Sequence, residues 1–169
     1  MTPDPDLRAR FLAGMSHAAA TVNVVTTDGP AGRFGLTVSA FSSVSADPPM
    51  VMVCVNARSP AAAAVRDNAQ FRINVLGATQ RQVAQTFAGH PACGAPYDFS
   101  AARWEVENGG APALAGAVAS FGCLLVTTVA AGTHLVFIGR VADVRQSIGP
   151  ALLYTDRAYG YPCTVAEFN

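Results

Sequence analysis

Residues 120–147 constrain the fold more than any other part of the chain. Two strand-forming segments, SFGCLLVTTVAA at 120–131 and HLVFIGRVADVRQS at 134–147, are separated only by Gly132 and Thr133. A two-residue connection that contains glycine, placed between two such segments, predicts a β-hairpin. The protein is therefore expected to contain an antiparallel sheet.

The rest of the chain continues this strand-rich pattern. Further strands are predicted at 21–27, 35–49, 50–56, 70–76 and, more briefly, 103–106. Short helices are predicted at 6–18, after the Ser59-Pro60 start, and over QRQVAQTFA, where Thr79 and Gln82 match a capping box. Six or seven strands with two or three short helices predict a mainly β protein, a closed or partly open antiparallel barrel with Greek-key links. No linker-like break divides residues 1–169, which predicts a single domain.

The stretch from Gly35 to Pro49, GLTVSAFSSVSADPP, contains the first candidate site. It reads as one long strand in which apolar residues alternate with small hydroxylic ones, so one face has room for something other than bulky side chains. The following run MVMVCVN, residues 50–56, is almost continuously apolar and predicts a central strand covered on both faces.

The segment Asn56-Ala57-Arg58-Ser59-Pro60 joins that run to a helix. Serine as N-cap and proline in the first turn mark a helix start, whose free N–H groups can hold an anion beside Arg58. The segment is a candidate phosphate cradle, although most helix starts bind nothing and the pattern alone leaves both readings open.

Composition excludes several function classes. The 11 basic and 11 acidic residues balance, without the positive cluster that nucleic acid binding needs. All the basic residues are arginine, which excludes Schiff-base and P-loop lysines. The four cysteines, at 54, 93, 123 and 163, form no CxxC pair that would suggest zinc. No apolar run approaches the roughly 20 residues of a membrane helix, so the 51% hydrophobic content predicts a large core or an oligomer interface. The acidic, proline-containing start MTPDPDLRAR is unlike a secretory signal and predicts a cytoplasmic protein.

Catalytic motifs of the common enzyme classes are also missing. The chain has no GxGxxG, GxSxG or HExxH and no close run of carboxylates. Its polar equipment consists of small hydroxyls, arginines and His134 just after the hairpin turn, with His17 and His90 expected at a helix end and in an exposed loop. Such a lining suits a bound cofactor that carries its own reactivity.

Several of these segments, in this order, resemble the short-chain NAD(P)H:flavin oxidoreductases of the FMN-binding split-barrel superfamily. The matching blocks are TVNVVTTDGPAGRFGLTVSAFSSVSADPP, MVMVCVNARSP, FRINVL, QTFAG, GTHLVFIGRV and LLYTDRAY. The resemblance extends over nearly the whole chain, and two blocks, TVNVVTTDGPAGR and FSAARW, look especially like the pyrimidine-utilisation flavin reductases.

The resemblance implies a split antiparallel β-barrel that transfers hydride from NADH or NADPH to FMN or FAD. It also implies a homodimer whose reduced flavin diffuses to a partner monooxygenase. By analogy, the residues that would contact flavin are Thr37, Ser39, Ala40, Phe41, Cys54, Val55, Asn56, Arg58, Ser59, Phe87 and Ala88, with Arg58 and Ser59 at the phosphate. His134, as the catalytic histidine, and Tyr154 would approach the nicotinamide, and no metal site is implied.

Two positions depart from the pattern of the resembling family. Thr133 stands where many relatives have Asp, so any role of that carboxylate in orienting His134 is missing or replaced. Ser39 stands where Asn is common, which changes the expected flavin contacts. Two alternatives stay open: a flavin- or haem-binding split-barrel protein without turnover, and a flavoprotein reductase with another acceptor such as a cobalt corrinoid.

Overall fold

The computed structural model describes residues 5–107 and 109–163. Within them the helices are α1 Pro5–Ser16, α2 Pro60–Asn68 and α3 Arg81–Phe87, with a 3-10 turn at Phe99–Ala101. The strands are β1 Ala20–Thr21, β2 Asn23–Thr27, β3 Phe34–Val38, β4 Phe41–Ala46, β5 Pro49–Asn56, β6 Gln70–Val75, β7 Trp104–Glu105, β8 Ala113–Leu114, β9 Ala119–Ala131, β10 His134–Gln146, β11 Leu153–Thr155 and β12 Ala158–Gly160.

The centre of the fold is a seven-stranded antiparallel sheet with the order β3-β2-β6-β9-β10-β5-β4. The predicted hairpin at 120–147 is confirmed as β9 and β10, joined through Gly132, whose φ of 58° lies in the left-handed region. Register shifts in β10 between Ile138 and Gly139 and between Val141 and Asp143 mark bulges, which increase the twist of a sheet. A smaller sheet, in the order β1-β11-β12, pairs β1 near the N-terminus with the two strands near the C-terminus.

The stretch from Gly35 to Pro49 is two strands, and the prediction of one long strand was wrong. The chain bends at Ser39 and Ala40, so that β3 pairs with β2 at one edge of the sheet and β4 pairs with β5 at the other. Two edge strands that follow each other this closely require the sheet to curl until its edges meet. The N–H of Cys54 in β5 donates to the carbonyl of Ala40 at 3.0 Å, but no ladder joins β3 to β4. The sheet is therefore an open, split antiparallel barrel, as predicted.

The strands differ in whether one or both of their faces are buried in the core. All five residues of β2 are buried, with Val25 in the cluster beneath α2 and Val24 in a second cluster against α3. In β5, by contrast, buried Val51, Val53 and Val55 alternate with more exposed residues. The prediction that residues 50–56 are covered on both faces was wrong for the described residues, because β5 lies next to the edge strand β4, whereas α2 and α3 both pack against β2 and β3.

The helix starts differ in one respect from the sequence prediction. Ser59 and Pro60 begin α2 as expected, and Ala61, Ala62, Ala64 and Val65 bury its inner face. The capping box of Thr79 and Gln82 was wrong, since α3 begins after Gln80 and has no side-chain cap bond. The amide of Gln80 instead bridges the loop, accepting from Gly77 N–H at 2.9 Å and donating to the Ala115 carbonyl at 2.9 Å.

The N-terminal helix α1 ends at Ser16, next to His17 as predicted. Its apolar residues do not pack on the rest of the chain, since Leu7, Phe11 and Met15 are 59%, 61% and 53% exposed. The end of the helix is fixed by Asp156, whose N–H donates to the Ser16 carbonyl and whose carboxylate lies 2.6 Å from His17 Nδ1. Among the described residues, no helix is long and apolar enough to cross a membrane.

Candidate functional site

A cavity of about 630 Å³, cavity 1, opens between β3, the start of α2 and the end of α3. One wall is β3 from Phe34 to Thr37, and a second is formed by Phe87 and Ala88. A third runs from Asn56 to Ala61. The volume lies within the usual range for small-molecule sites, roughly 300–1,000 Å³.

The α2 end of cavity 1 presents free donor groups. Asn56 shapes the turn, because its side-chain oxygen accepts from Arg58 N–H and its carbonyl accepts from Ser59 N–H, both at 2.9 Å. The Ser59 hydroxyl makes no cap bond, and no ion pair of Arg58 occurs within the described residues. A helix start with a free hydroxyl and an adjacent guanidinium fits a phosphate group.

Gly35 lets two aromatic rings approach the backbone of β3 closely. A Cβ at this position would lie 2.7 Å from Phe87 Cε1 and 3.2 Å from Phe99 Cζ. Phe87 also contacts Trp104, with ring centroids 5.4 Å apart. This close aromatic packing gives cavity 1 a rigid apolar side of the kind that accepts a planar ring.

The hydroxyl of Thr37 ties the two walls together. It donates to the Ala84 carbonyl at 2.7 Å, which joins the middle of α3 to β3. The bond fixes the separation of strand and helix at the point where cavity 1 meets a second cavity.

Cavity 2, of about 610 Å³, lies on the other side of Thr37 and Ala88, which line both cavities. Its remaining walls include Ser39, Arg81, His90, Tyr154, Arg157 and Tyr159. The rings of Tyr154 and Tyr159 meet edge to face at 5.2 Å, and Arg81 Cζ lies 5.3 Å from the centre of the Tyr159 ring.

The Tyr159 phenol stays protonated at neutral pH. Burial of its ring raises its pKa above the usual 10, and nearby Tyr154 adds to this, while Arg81 opposes it. A protonated phenol donates a hydrogen bond as well as accepting one, so cavity 2 combines an aromatic surface with a neutral donor.

Eight of the residues expected to form the site line these cavities. Thr37, Asn56, Arg58, Ser59, Phe87 and Ala88 line cavity 1, and Thr37, Ser39, Ala88 and Tyr154 line cavity 2. Residues that the sequence placed in distant segments are thus brought together.

Five expected residues lie outside both cavities: Ala40, Phe41, Cys54, Val55 and His134. Val55 is fully buried in the core, and Phe41 packs against Phe121 with ring centroids 5.7 Å apart. Ala40 is exposed at the bend after β3, where its carbonyl accepts from Cys54 N–H.

His134 is exposed at the start of β10, directly opposite Asn56 in β5. Residues directly opposite in an antiparallel pair project on the same face, so the side chains of His134 and Asn56 share one face of the sheet, although His134 lines neither cavity. Its Nδ1 lies 2.9 Å from the Thr133 hydroxyl. A neutral hydroxyl therefore takes the place of the expected carboxylate next to this histidine.

Sequence reasoning missed several lining residues. Tyr97 and Phe99 line cavity 1 from the loop after α3, and His90 and Arg81 line cavity 2. Only the Gly- and Pro-rich composition of residues 89–102 pointed to this loop, and composition does not say which side chain turns inward. Among the described residues, no group of three His, Cys, Asp or Glu is placed to bind a metal.

Comparison with known proteins gives consistent matches. Residues 15–162 match the family model described as flavin reductase like domain. The FMN reductase (NADH) RutF 1 of Methylorubrum extorquens is 43% identical over 154 residues, which cover 89% of this chain and 75% of that protein.

Solved structures agree with the sequence comparison. The NADH:FAD oxidoreductase SgcE6 of Streptomyces globisporus, in complex with NAD and FAD fragments, superposes with a TM-score of 0.86, 27% identity and 99% coverage of both chains. BorF, the flavin reductase component of a bacterial two-component tryptophan halogenase, has a TM-score of 0.79 and 31% identity, covering 90% of this chain and 97% of that one.

Proposed function

The chain belongs to the flavin reductase like domain family, and from this premise we propose that it is an NADH-dependent flavin reductase. The proposed reaction moves a hydride from the reduced nicotinamide to FMN. The choice of NADH and FMN follows the named relative in Methylorubrum extorquens, and FAD remains a second candidate acceptor because the Streptomyces globisporus structure holds FAD fragments.

The observation that carries the proposal is the shared boundary of the two cavities. Hydride transfer requires two planar rings in contact, with reacting atoms about 3–3.5 Å apart. Cavities of about 630 and 610 Å³ that meet at Thr37 and Ala88 provide space for two ligands and a place where they touch. Small side chains at this boundary leave room for that contact.

We assign cavity 1 to the flavin. Arg58 and Ser59 would hold the phosphate, and β3 together with Phe87 would bound the ring system. When bound, the flavin supplies the redox chemistry, and the chain supplies binding, orientation and exclusion of water.

Cavity 2 is assigned to the nicotinamide dinucleotide, with Tyr154 beside its ring system. His134 keeps a positioning role toward the nicotinamide in this proposal, because its imidazole is exposed and therefore accessible to a bound ligand, although it lines neither cavity. Hydride transfer between two such ligands needs no general base, which agrees with the absence of a carboxylate among the residues lining either cavity.

We further propose that residues 1–169 act as one domain in a cytoplasmic homodimer. Exposed apolar side chains on β5, β9 and β10, namely Met52, Leu124, Val126, Val129 and Val144, offer a surface that a second copy would bury. Reduced flavin would then pass to a separate oxygenase, by analogy with the reductase component of the tryptophan halogenase.

Anaerobic mixing of the protein with NADH and FMN tests the reaction. The flavin absorption band should bleach far faster than in a control without protein, and crossing FMN and FAD with NADH and NADPH defines the preferred pair. A protein that binds flavin tightly but does not accelerate its reduction would be a carrier, and the proposal would be wrong.

A further inference from the structure

We propose that Arg81 and Arg157 form an anion subsite in cavity 2 that binds the diphosphate of the nicotinamide dinucleotide. The inference rests on the proposed function, because it assigns a part of the same site to one part of the same ligand. It concerns binding energy and orientation rather than the hydride step itself.

The charge of cavity 2 is the first argument. Its lining contains Arg81, Arg157 and His90, and no Asp or Glu. Neither arginine forms an ion pair within the described residues. The carboxylate next in sequence, Asp156, is engaged with His17 Nδ1 at 2.6 Å. Both cations are therefore available to an anionic ligand.

The second argument is that both arginines are positioned without a carboxylate, Arg81 by an aromatic ring and Arg157 by the backbone turn that carries it. Arg81 lies against the face of Tyr159, with Cζ 5.3 Å from the ring centre. A guanidinium stacked on an aromatic ring keeps its N–H edges free to bind. Its position is thus defined before a ligand arrives.

Arg157 is presented by a tight turn between β11 and β12. Asp156 and Arg157 have φ values of 48° and 61°, and the N–H of Asp156 donates to the Ser16 carbonyl at the end of α1. Helix α1 thereby anchors the turn that carries Arg157.

The number and the position of the two arginines indicate the chemistry of the ligand. A guanidinium binds a phosphate through a planar fork of two N–H groups, so two arginines match two linked phosphates. A nicotinamide ring at the Thr37 and Ala88 boundary leaves the rest of the dinucleotide in cavity 2, where Tyr154 and Tyr159 provide aromatic surface. The diphosphate is the part of that ligand with two adjacent negative groups.

Binding of ADP-ribose, measured by calorimetry, tests the subsite without turnover, because this probe carries the diphosphate and no nicotinamide. The variants are Arg81→Gln and Arg157→Asn; asparagine is chosen because it tolerates the positive φ at position 157. Each should weaken ADP-ribose binding about tenfold, the usual loss for one charge-assisted pair at an accessible site. Arg66→Gln is the matched control, since Arg66 is exposed on α2 and lines neither cavity.

A second measurement separates the subsite from a general loss of structure. With reduced nicotinamide riboside, which has no phosphate, the rate of flavin reduction should be the same in the two variants as in the parent protein, while the KM for NADH rises about tenfold.

Unchanged ADP-ribose binding in both variants would overturn the subsite, as would displacement of ADP-ribose by FMN, which would place the flavin in cavity 2. Equal losses with NADH and the riboside would assign the arginines a structural role. If ADP-ribose binding depends on both arginines but the protein does not reduce flavin, the anion subsite is supported and the proposed reaction is wrong.

Discussion

Gly35 lies so close to Phe87 that a single added methyl group would come within 2.7 Å of the phenyl ring. The contact sets the distance between β3 and the end of α3, and with it the width of cavity 1. Because Phe87 is also packed against Phe99 and Trp104, the ring has little room to move aside.

The variant Gly35→Ala should lower the free energy of unfolding by about 1–3 kcal/mol, the usual cost of overpacking a core. Urea denaturation measures this change. Gly160→Ala is the matched control, because a Cβ at position 160 meets nothing within 4 Å and its stability should change by less than about 0.5 kcal/mol. Equal effects of the two substitutions would show that the aromatic contact does not limit the packing.

Arg58 should contribute to flavin affinity through the phosphate alone. In Arg58→Gln we expect the Kd for FMN to rise about tenfold, as for the loss of one charge-assisted pair, whereas the Kd for riboflavin, which has no phosphate, should not change. Fluorescence titration measures both constants, and Arg66→Gln controls for the change in net charge. A loss of riboflavin affinity of the same size would contradict the assignment of Arg58 to the phosphate.

His134 should contribute to the binding of NADH and not to the binding of FMN. The variant His134→Ala is expected to raise the KM for NADH severalfold while leaving the Kd for FMN nearly unchanged, because the imidazole is exposed and does not line the flavin cavity. Steady-state kinetics and flavin titration on the same preparation check the two constants. An unchanged KM would remove the positioning role, and a raised FMN Kd would move it to the flavin.

Asp143 should make stability depend on pH in the acid range. Its carboxylate lies 2.7 Å from the guanidinium of Arg72, whose side chain is 9% exposed, and this hydrogen bond is the main cause that lowers the Asp143 pKa from its ordinary 3.8. A lowered pKa in the folded state stabilises the protein above the ordinary value, and the contribution disappears as the pH falls through the folded-state pKa.

The variant Asp143→Asn should therefore lose about 1 kcal/mol at pH 7, a modest value because the Asp143 side chain is 46% exposed. Below the folded-state pKa of Asp143 the variant and the parent should become nearly equal in stability. Thermal unfolding over a pH series measures the difference, and Asp47→Asn, at an exposed position, should show no such convergence. A difference that stays constant with pH would mean that the pair contributes through packing and not charge.

The strands were predictable where hydrophobic pattern and turn chemistry agree. The hairpin of β9 and β10 is fixed by Gly132 between two long strand-forming segments, and it was predicted almost to the residue. The break at Ser39 and Ala40 was not, because the strand pattern continues across it and only the curl of the whole sheet places its two halves on opposite edges.

The site was predictable where a residue lies on a regular element or at its end. Arg58 and Ser59 lie just before α2 and Phe87 ends α3, both helices that the sequence predicts, and all three residues line cavity 1. Tyr97 and His90 lie in a loop whose path depends on bonds such as Tyr97 N–H to the Thr86 carbonyl, at 3.0 Å, and no local pattern encodes that path.

Helix α2 begins at Ser59 without a side-chain cap, although serine is among the residues best suited to supply one. The first turn of α2 therefore lacks the roughly 1 kcal/mol that a serine cap bond contributes. A phosphate bound there would accept hydrogen bonds from the start of α2. Ligand binding would therefore stabilise the first turn of this helix. The melting temperature of the free protein consequently understates how firmly this part of the fold holds together once its ligand is present.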